Sequence, residues 1–324
     1  MKIVVLDGHV ANPGDLSWDA LAGLGELTVY PRTAPDEVVE RCGDAEAVFV
    51  NKVIIDDAVM ARLPKLKFIG VLATGYNNVD TVAARRRGIT VCNVPAYSTN
   101  SVAQLVFAMI LQLTNRVSDY SASVACGDWC RCPDFSYSLG SMDELDGMTI
   151  GIYGLGNIGR RVAAIAHAFS MKVVSPTSQP VESLPEYVEK VSFEQMLSLA
   201  DFITIHSPLT AENRGLFGAE TFAKMRRGSV LINTARGPIV DEQALADALR
   251  SGHLKAAAID VLEQEPPATY CPLLAADLVG GENPRCIITP HIAWQSVAAR
   301  RRLLDVSAAN LAAFVADKPQ NVVN

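Results

Sequence analysis

At 324 residues, the chain is long enough for two domains of about 100–200 residues each. Apolar residues make up 49% of it and charged ones 19%, a balance that builds large cores and excludes a disordered chain. With 28 basic and 35 acidic residues the formal charge is −7, which argues against a nucleic-acid surface as the main role.

The first hundred residues alternate apolar runs with helical patterns. Lys2 to Leu6, Leu27 to Tyr30, Ala47 to Val50, Phe68 to Leu72 and Thr90 to Cys92 read as strands. Pro35 to Arg41 and Val79 to Arg87 read as helices, the second with Asp80 as N-cap and Gly88 as its stop. This βα repeat predicts a parallel sheet with helices on its faces. Asp7-Gly8-His9 follows the first strand, so this unit carries no glycine fingerprint for a nucleotide. The start of the chain is too soon interrupted by polar residues to read as a signal peptide.

Two loops of this unit stand out. Thr74-Gly75 follows the strand Phe68 to Leu72, where open parallel sheets bind ligands; it can offer N–H groups to a small anion or be an ordinary βα turn. The loop Asn93 to Ser101 feeds an apolar helix over Val102 to Leu113, capped by Asn100 or Ser101 and expected to act as an inter-domain spine. That helix contains Gln112 and is too short to span a bilayer, so no membrane partner is expected. Residues 115–147 break the pattern. Trp129, Pro133, Phe135, Tyr137 and Leu139 sit among Gly, Ser and Asp, which predicts an irregular segment that makes a protein–protein contact, with a loop covering its own domain as the alternative. Cys126, Cys130 and Cys132 lack zinc spacing and the seven cysteines have no paired framework; reduced thiols of a cytoplasmic protein and no metal site are expected.

Met148 to Tyr153 is an apolar strand followed by Gly154, Gly156 and Gly159 in a G-x-G-x-x-G pattern that opens a helix. Gly154 permits the sharp turn, Gly156 lets a pyrophosphate approach the backbone, and Gly159 lets the helix pack on the sheet. The N–H groups of the first helical turn, including those near Asn157 and Ile158, then face the phosphates. Further strands are predicted at Phe202 to Ile205, Val230 to Asn233, Ala257 to Val261 and Ile287 to Thr289, with helices at Asp241 to Arg250 and Val297 to Ala316. Polar spots after three of these strands supply Arg236, Glu265 and His291. Arg grips a carboxylate with two parallel hydrogen bonds, and a carboxylate beside an imidazole favours its charged, proton-donating form. Each residue alone is weak evidence, because a single His or Arg is more often structural.

Taken together, these segments resemble one family. Asn233 to Glu242, Asp260 to Pro266 and Thr289 to Ala293 are similar to the arginine, glutamate and histidine signatures of the D-isomer-specific 2-hydroxyacid dehydrogenases, in order and downstream of the glycines. The similarity spans essentially the whole chain. Ala73 to Asn77, Ser101 to Gln104, Trp129 with Pro133 to Phe135, and the ending Lys318 to Asn324 are most similar to the bacterial glycerate dehydrogenases (hydroxypyruvate reductases). The resemblance implies an α/β fold of two domains. A flavodoxin-like substrate domain would use 1–98 plus 291–324, and a Rossmann doubly wound domain would use 99–290, with 115–147 forming a homodimer contact. It implies reduction of a small 2-keto acid to a D-2-hydroxy acid in the cleft between them, hydroxypyruvate first and glyoxylate as runner-up. A dinucleotide-sensing interaction protein on the same fold is the non-enzyme alternative. Arg236 would orient the substrate, the backbone of Thr74 and Gly75 would hold its carboxylate, His291 would donate the proton, and Glu265 would hold His291. Asp260 would lie near the nicotinamide, His206 and Pro208 would line the adenosine side, and Thr234 and Ala235 would complete the cofactor site. His9, His167 and His253 match no motif and read as structural or surface residues.

One departure concerns the cofactor. An NAD site usually carries an acid about 20 residues beyond the glycines to bond the ribose hydroxyls. Thr177 stands there, the nearest carboxylate is Glu182, and no Arg or Lys is expected close by to receive a 2′-phosphate. This predicts weak discrimination, with NAD(H) preferred and NADP(H) admitted.

Overall fold

The short apolar runs become parallel strands in a computed structural model of the chain, which describes residues 1–267, 270–280 and 285–324. The chain divides into two units, Met1–Ser98 with Trp294–Asn324, and Thr99–Ala293.

In the first unit β1 (Lys2–Val5), β2 (Glu26–Val29), β3 (Ala47–Val50), β4 (Phe68–Val71) and β5 (Thr90–Cys92) form one parallel sheet in the order β2-β1-β3-β4-β5. This is the flavodoxin-type winding. Every residue of β3 and β4 is buried, as expected of central strands covered on both faces. The helix Thr81–Arg86 takes its cap from Asp80, whose carboxylate accepts from Ala83 N–H at 2.9 Å. Such a cap contributes about 1 kcal/mol.

The end of the chain completes this unit. Leu303 and Leu311 of the helix Val297–Val315 are buried with Ile3, Val5, Phe49 and Phe68. Arg300 in that helix donates to both carboxylate oxygens of Asp15, at 2.7 and 2.6 Å. The last residues then run antiparallel to β5. Cys92 bridges to Val322, Val323 N–H donates to the Val91 carbonyl at 2.9 Å, and Asn324 Oδ1 accepts from Val91 N–H at 2.9 Å. An edge that would otherwise expose unpaired backbone is thereby covered. The chain returns to this unit at Trp294, three residues later than position 291 of the sequence reading. The reason is local: the N–H groups of Ile292 and Ala293 still donate, each at 2.9 Å, to the carboxylate of Asp260 in the second unit.

The second unit carries β6 (Thr149–Tyr153), β7 (Lys172–Ser175), β8 (Val188–Lys190), β9 (Phe202–Ile205), β10 (Val230–Asn233), β11 (Ala256–Ile259) and β12 (Cys286–Ile288). Their order is β12-β11-β10-β9-β6-β7-β8, all parallel. The order reverses between β6 and β9, which is the Rossmann arrangement, and ligands bind beyond the carboxyl ends at such a switch point. The apolar helix runs from Thr99 to Asn115, two residues longer at its carboxyl end than predicted and starting before both expected caps. Its Val106, Phe107 and Ile110 pack with Val162, Ala163 and Ala166 of the helix Asn157–Ala168. The segment 115–147 is more regular than expected: it contains the helices Val117–Ala125 and Asp128–Arg131. The first of these buries none of its residues, so the pattern that marks a packed helix is missing from its sequence.

All seven cysteines are free thiols. Among the described residues no group of three His, Cys, Asp or Glu is placed to hold a metal, and no helix is long and apolar enough to cross a membrane.

Candidate active site

The glycine-rich turn sits at the carboxyl end of β6. Gly154 has φ +100°, and a Cβ there would lie 2.5 Å from the Ser207 nitrogen, so the turn touches the backbone beyond β9. A Cβ on Gly159 would lie 2.1 Å from the Gly154 oxygen. These two glycines are required by the protein's own packing. Gly156 differs: a Cβ there would meet nothing within 4 Å. It stands exposed as N-cap of the helix Asn157–Ala168, and the N–H groups of Gly156, Asn157 and Ile158 donate to no described residue. Open space in front of unpartnered donors at a helix N-terminus fits a diphosphate.

Neighbouring strand ends add polar atoms of the same kind. His206, beyond β9, has Nε2 2.9 Å from Thr204 Oγ1. Its Nδ1, and Thr234 Oγ1 beyond β10, are buried without a partner among the described residues. Burial pushes the His206 imidazole down to about 3, so the ring is neutral at physiological pH. The Pro208 carbonyl accepts from Asn213 Nδ2 at 2.8 Å, which closes the loop that follows. These residues fit a nicotinamide dinucleotide: the helix turn at Gly156 to Ile158 would hold its diphosphate, with His206, Pro208, Thr234 and Ala235 on the adjoining strand ends.

Three loops on the adjacent strands β10, β11 and β12 carry the Arg, Glu and His. After β10, Asn233 shapes the first loop: its Oδ1 accepts from Ala235 N–H and its Nδ2 donates to the Arg236 carbonyl, both at 3.0 Å. Arg236 itself is exposed, and its Nη1 donates to the Ala235 carbonyl at 2.6 Å. The next residue must be glycine, because a Cβ on Gly237 would lie 2.0 Å from the Leu262 carbonyl carbon. The arginine loop therefore lies directly on the loop after β11.

That second loop carries Glu265. One of its carboxylate oxygens accepts from Leu262 N–H at 2.9 Å, and the other is 2.7 Å from His291 Nδ1. His291 has φ +55°, a left-handed backbone that is uncommon for a residue with a side chain. Asp260 holds it there. Its carbonyl accepts from His291 N–H at 2.8 Å, and its carboxylate accepts from Thr289 Oγ1 at 2.5 Å and from Ile292 and Ala293 N–H. Asp260 is 1% exposed, and burial raises its carboxyl above the usual range, against the hydrogen bonds that favour the charged form. The resemblance gave Asp260 a place near the nicotinamide; its anchoring of the histidine loop was not foreseen. A carboxylate followed by consecutive N–H donors leaves no sequence motif of its own.

The expectation that no cation lies near Thr177 is corrected. Arg160, in the first turn of the glycine-motif helix, donates through Nη2 to Gln179 Oε1 and to the Ser183 carbonyl. Lys190 Nζ donates to the Gln179 carbonyl at 2.8 Å. Strand register explains the error: Lys190 on β8 pairs with Ser175 at the end of β7 and is brought beside a loop from which sequence separates it.

In the first unit, Thr74 and Gly75 lie beyond β4. Thr74 Oγ1 donates to the Val94 carbonyl at 2.8 Å, and the Thr74 carbonyl accepts from Asn93 Nδ2 at 2.7 Å. The Thr74 and Gly75 N–H groups donate to no described residue. Of the histidines set aside, His167 stacks on Tyr187 with ring centroids 4.4 Å apart, and His253 Nε2 lies 2.9 Å from the Met225 carbonyl oxygen.

The chain is similar to known proteins over its whole length. Residues 107–293 match the family model described as D-isomer specific 2-hydroxyacid dehydrogenase, NAD binding domain. The chain is 42% identical over 328 residues to the hydroxypyruvate reductase of Blautia hydrogenotrophica, covering 100% of both chains. It is also 42% identical over 299 residues to the glycerate dehydrogenase of Methylorubrum extorquens, covering 92% of each. Among solved structures, the TT0316 protein of Thermus thermophilus matches 100% of both chains with a TM-score of 0.84 and 34% identity.

Proposed function

We propose hydroxypyruvate as the substrate of this chain, which belongs to the D-isomer-specific 2-hydroxyacid dehydrogenase family. The reaction is reversible reduction to D-glycerate. The observation that carries it is the Glu265–His291 pair, 2.7 Å apart, with Arg236 on the loop packed against that of Glu265, at the carboxyl ends of three adjacent strands. Two relatives that match 92% or more of the chain support the choice of substrate, because they are named a hydroxypyruvate reductase and a glycerate dehydrogenase.

The roles follow from the groups. Arg236 binds the substrate carboxylate and orients the carbonyl with its guanidinium fork. His291 keeps Nδ1 on Glu265 and presents Nε2 to the carbonyl oxygen, where it gives up a proton in reduction and takes it back in oxidation. Bound NADH, the preferred cofactor, supplies the hydride. Asp260 keeps the histidine loop in its left-handed conformation.

The test is loss of NADH absorbance with hydroxypyruvate, glyoxylate and pyruvate. The expected order of kcat/KM puts hydroxypyruvate first. A higher value for glyoxylate would replace the substrate, and no turnover with any of the three despite NADH binding would favour a dinucleotide sensor.

A homodimer is proposed through 115–147. Val117, Trp129, Phe135 and Met142 are 64%, 53%, 90% and 57% exposed, and a stretch so apolar is the composition of a covered surface. Sedimentation is expected to give a dimer, and a monomer at micromolar concentration would refute it. Seven free thiols suit a reducing compartment, which supports a cytoplasmic location.

A further inference from the structure

The loop after β7 is where a dinucleotide-binding sheet usually tells a ribose hydroxyl from a ribose phosphate, and in this chain it is built around an amide. Gln179 makes four contacts. Its Nε2 donates to the Leu155 carbonyl in the glycine-rich turn at 2.9 Å, and its N–H donates to Thr177 Oγ1 at 3.2 Å. Its Oε1 accepts from Arg160 Nη2, and its carbonyl accepts from Lys190 Nζ at 2.8 Å. Gln179 thus ties the loop to the phosphate-facing turn and holds two cations against that loop, one by its side chain and one by its backbone.

Both cations keep donors in reserve. Arg160 spends Nη2 on Gln179 and Ser183, while Nε and Nη1 donate to no described residue. Lys190 spends one of three ammonium hydrogens. Among the described residues neither cation pairs with a carboxylate, and their contacts are to amide and carbonyl oxygens. The acid that would repel a phosphate is replaced by Thr177, partly buried, with Ser178 exposed next to it. Arginine with a free edge is well suited to phosphate, and lysine adds a mobile point charge.

We propose that Arg160 and Lys190, positioned by Gln179, form a receiving site for the 2′-phosphate of NADP(H), so that the chain uses NADPH as well as NADH. The proposal rests on the reading that the second unit binds a nicotinamide dinucleotide. It goes beyond that reading by naming the residues that admit the phosphate. Gln179 is a positioning residue; Arg160 and Lys190 are the phosphate contacts.

The experiment separates this from the substrate assignment by using ligands that carry no nicotinamide. AMP and adenosine 2′,5′-bisphosphate, which differ only in the 2′-phosphate, are titrated calorimetrically into the full chain. The bisphosphate is expected to bind no more than about tenfold more weakly than AMP. In the Arg160→Ala, Lys190→Ala double variant its affinity relative to AMP falls by about tenfold or more, the loss of at least one charge-assisted contact. Thr177→Asp lowers the same ratio, and Arg160→Lys retains part of it. In turnover, the NADPH-to-NADH ratio of kcat/KM follows the binding ratio. Wild-type binding of the bisphosphate more than tenfold weaker than AMP would overturn the proposal. So would a double variant that weakens both ligands equally, which is the signature of a merely structural role. A protein that binds the bisphosphate as expected but reduces no 2-keto acid would leave this site standing and remove the substrate reading.

Discussion

Replacing His291 by Ala is expected to lower kcat for hydroxypyruvate reduction about 10³-fold, within the 10²–10⁴ range of a positioned general acid. The NADH dissociation constant should stay within about twofold, because the groups proposed to hold the dinucleotide lie on the turn after β6 and the loops after β9 and β10. The size follows from how firmly the ring is placed. Nδ1 is committed to Glu265 at 2.7 Å, which leaves Nε2 as the nitrogen that meets substrate. The backbone behind it is pinned by four hydrogen bonds from Thr289, His291, Ile292 and Ala293 to Asp260. A positioned acid gives its full benefit only when its geometry needs no further ordering, and a loss of about 10³ corresponds to about 4 kcal/mol of transition-state stabilisation. Because Glu265 acts through the imidazole, the Glu265→Ala, His291→Ala double variant should be little slower than His291→Ala alone, the non-additivity expected of residues that work as a unit. Stopped-flow and steady-state kinetics decide it. An unchanged kcat in His291→Ala removes the proton-donor role, and strictly multiplicative losses in the double variant separate Glu265 from it.

The parts of this site differ in how far the sequence reveals them. The glycine turn is legible because three constraints leave a spacing: two glycines yield to neighbouring backbone, and the third leaves space before a helix N-terminus. The buried strands β3, β4, β9, β10 and β11 are legible because both faces are covered, which yields unbroken apolar runs. β8 is not. Only Val188 of its three residues is buried, and Glu189 and Lys190 face outward at the sheet edge. The helix Val117–Ala125 escapes detection because it has no face to bury within its own chain. Arg160 and Lys190 were missed for a different reason. Their approach to one loop depends on strand register and on the path of a helix, and neither is written in the spacing of residues. Asp260 falls between these cases: its residue type was noticed, but its partners on the loop after β12 come from the sheet order.

The second large effect is expected at Arg236. Arg236→Ala should lower kcat/KM for hydroxypyruvate by about 10³-fold or more, and Arg236→Lys by about 10²-fold, since an ammonium keeps the charge but loses the planar fork. Both KM and kcat should contribute. A residue that only gathered the carboxylate would change KM alone, whereas one that also fixes the carbonyl acts where charge develops and lowers kcat as well. The fold should be indifferent to either change. The Arg236 side chain is exposed, and its one hydrogen bond among the described residues, Nη1 to the Ala235 carbonyl, is local. The conformation of its loop is set instead by the Asn233 amide and by the close approach of Gly237 to Leu262. The melting temperature of both variants should therefore lie within about 2 °C of wild type, as surface substitutions usually do. That separation gives the test its force. A kinetic loss without a thermal one places Arg236 on the substrate. A matching fall in melting temperature would mean that the guanidinium holds the loop, and the carboxylate contact would have to be sought elsewhere.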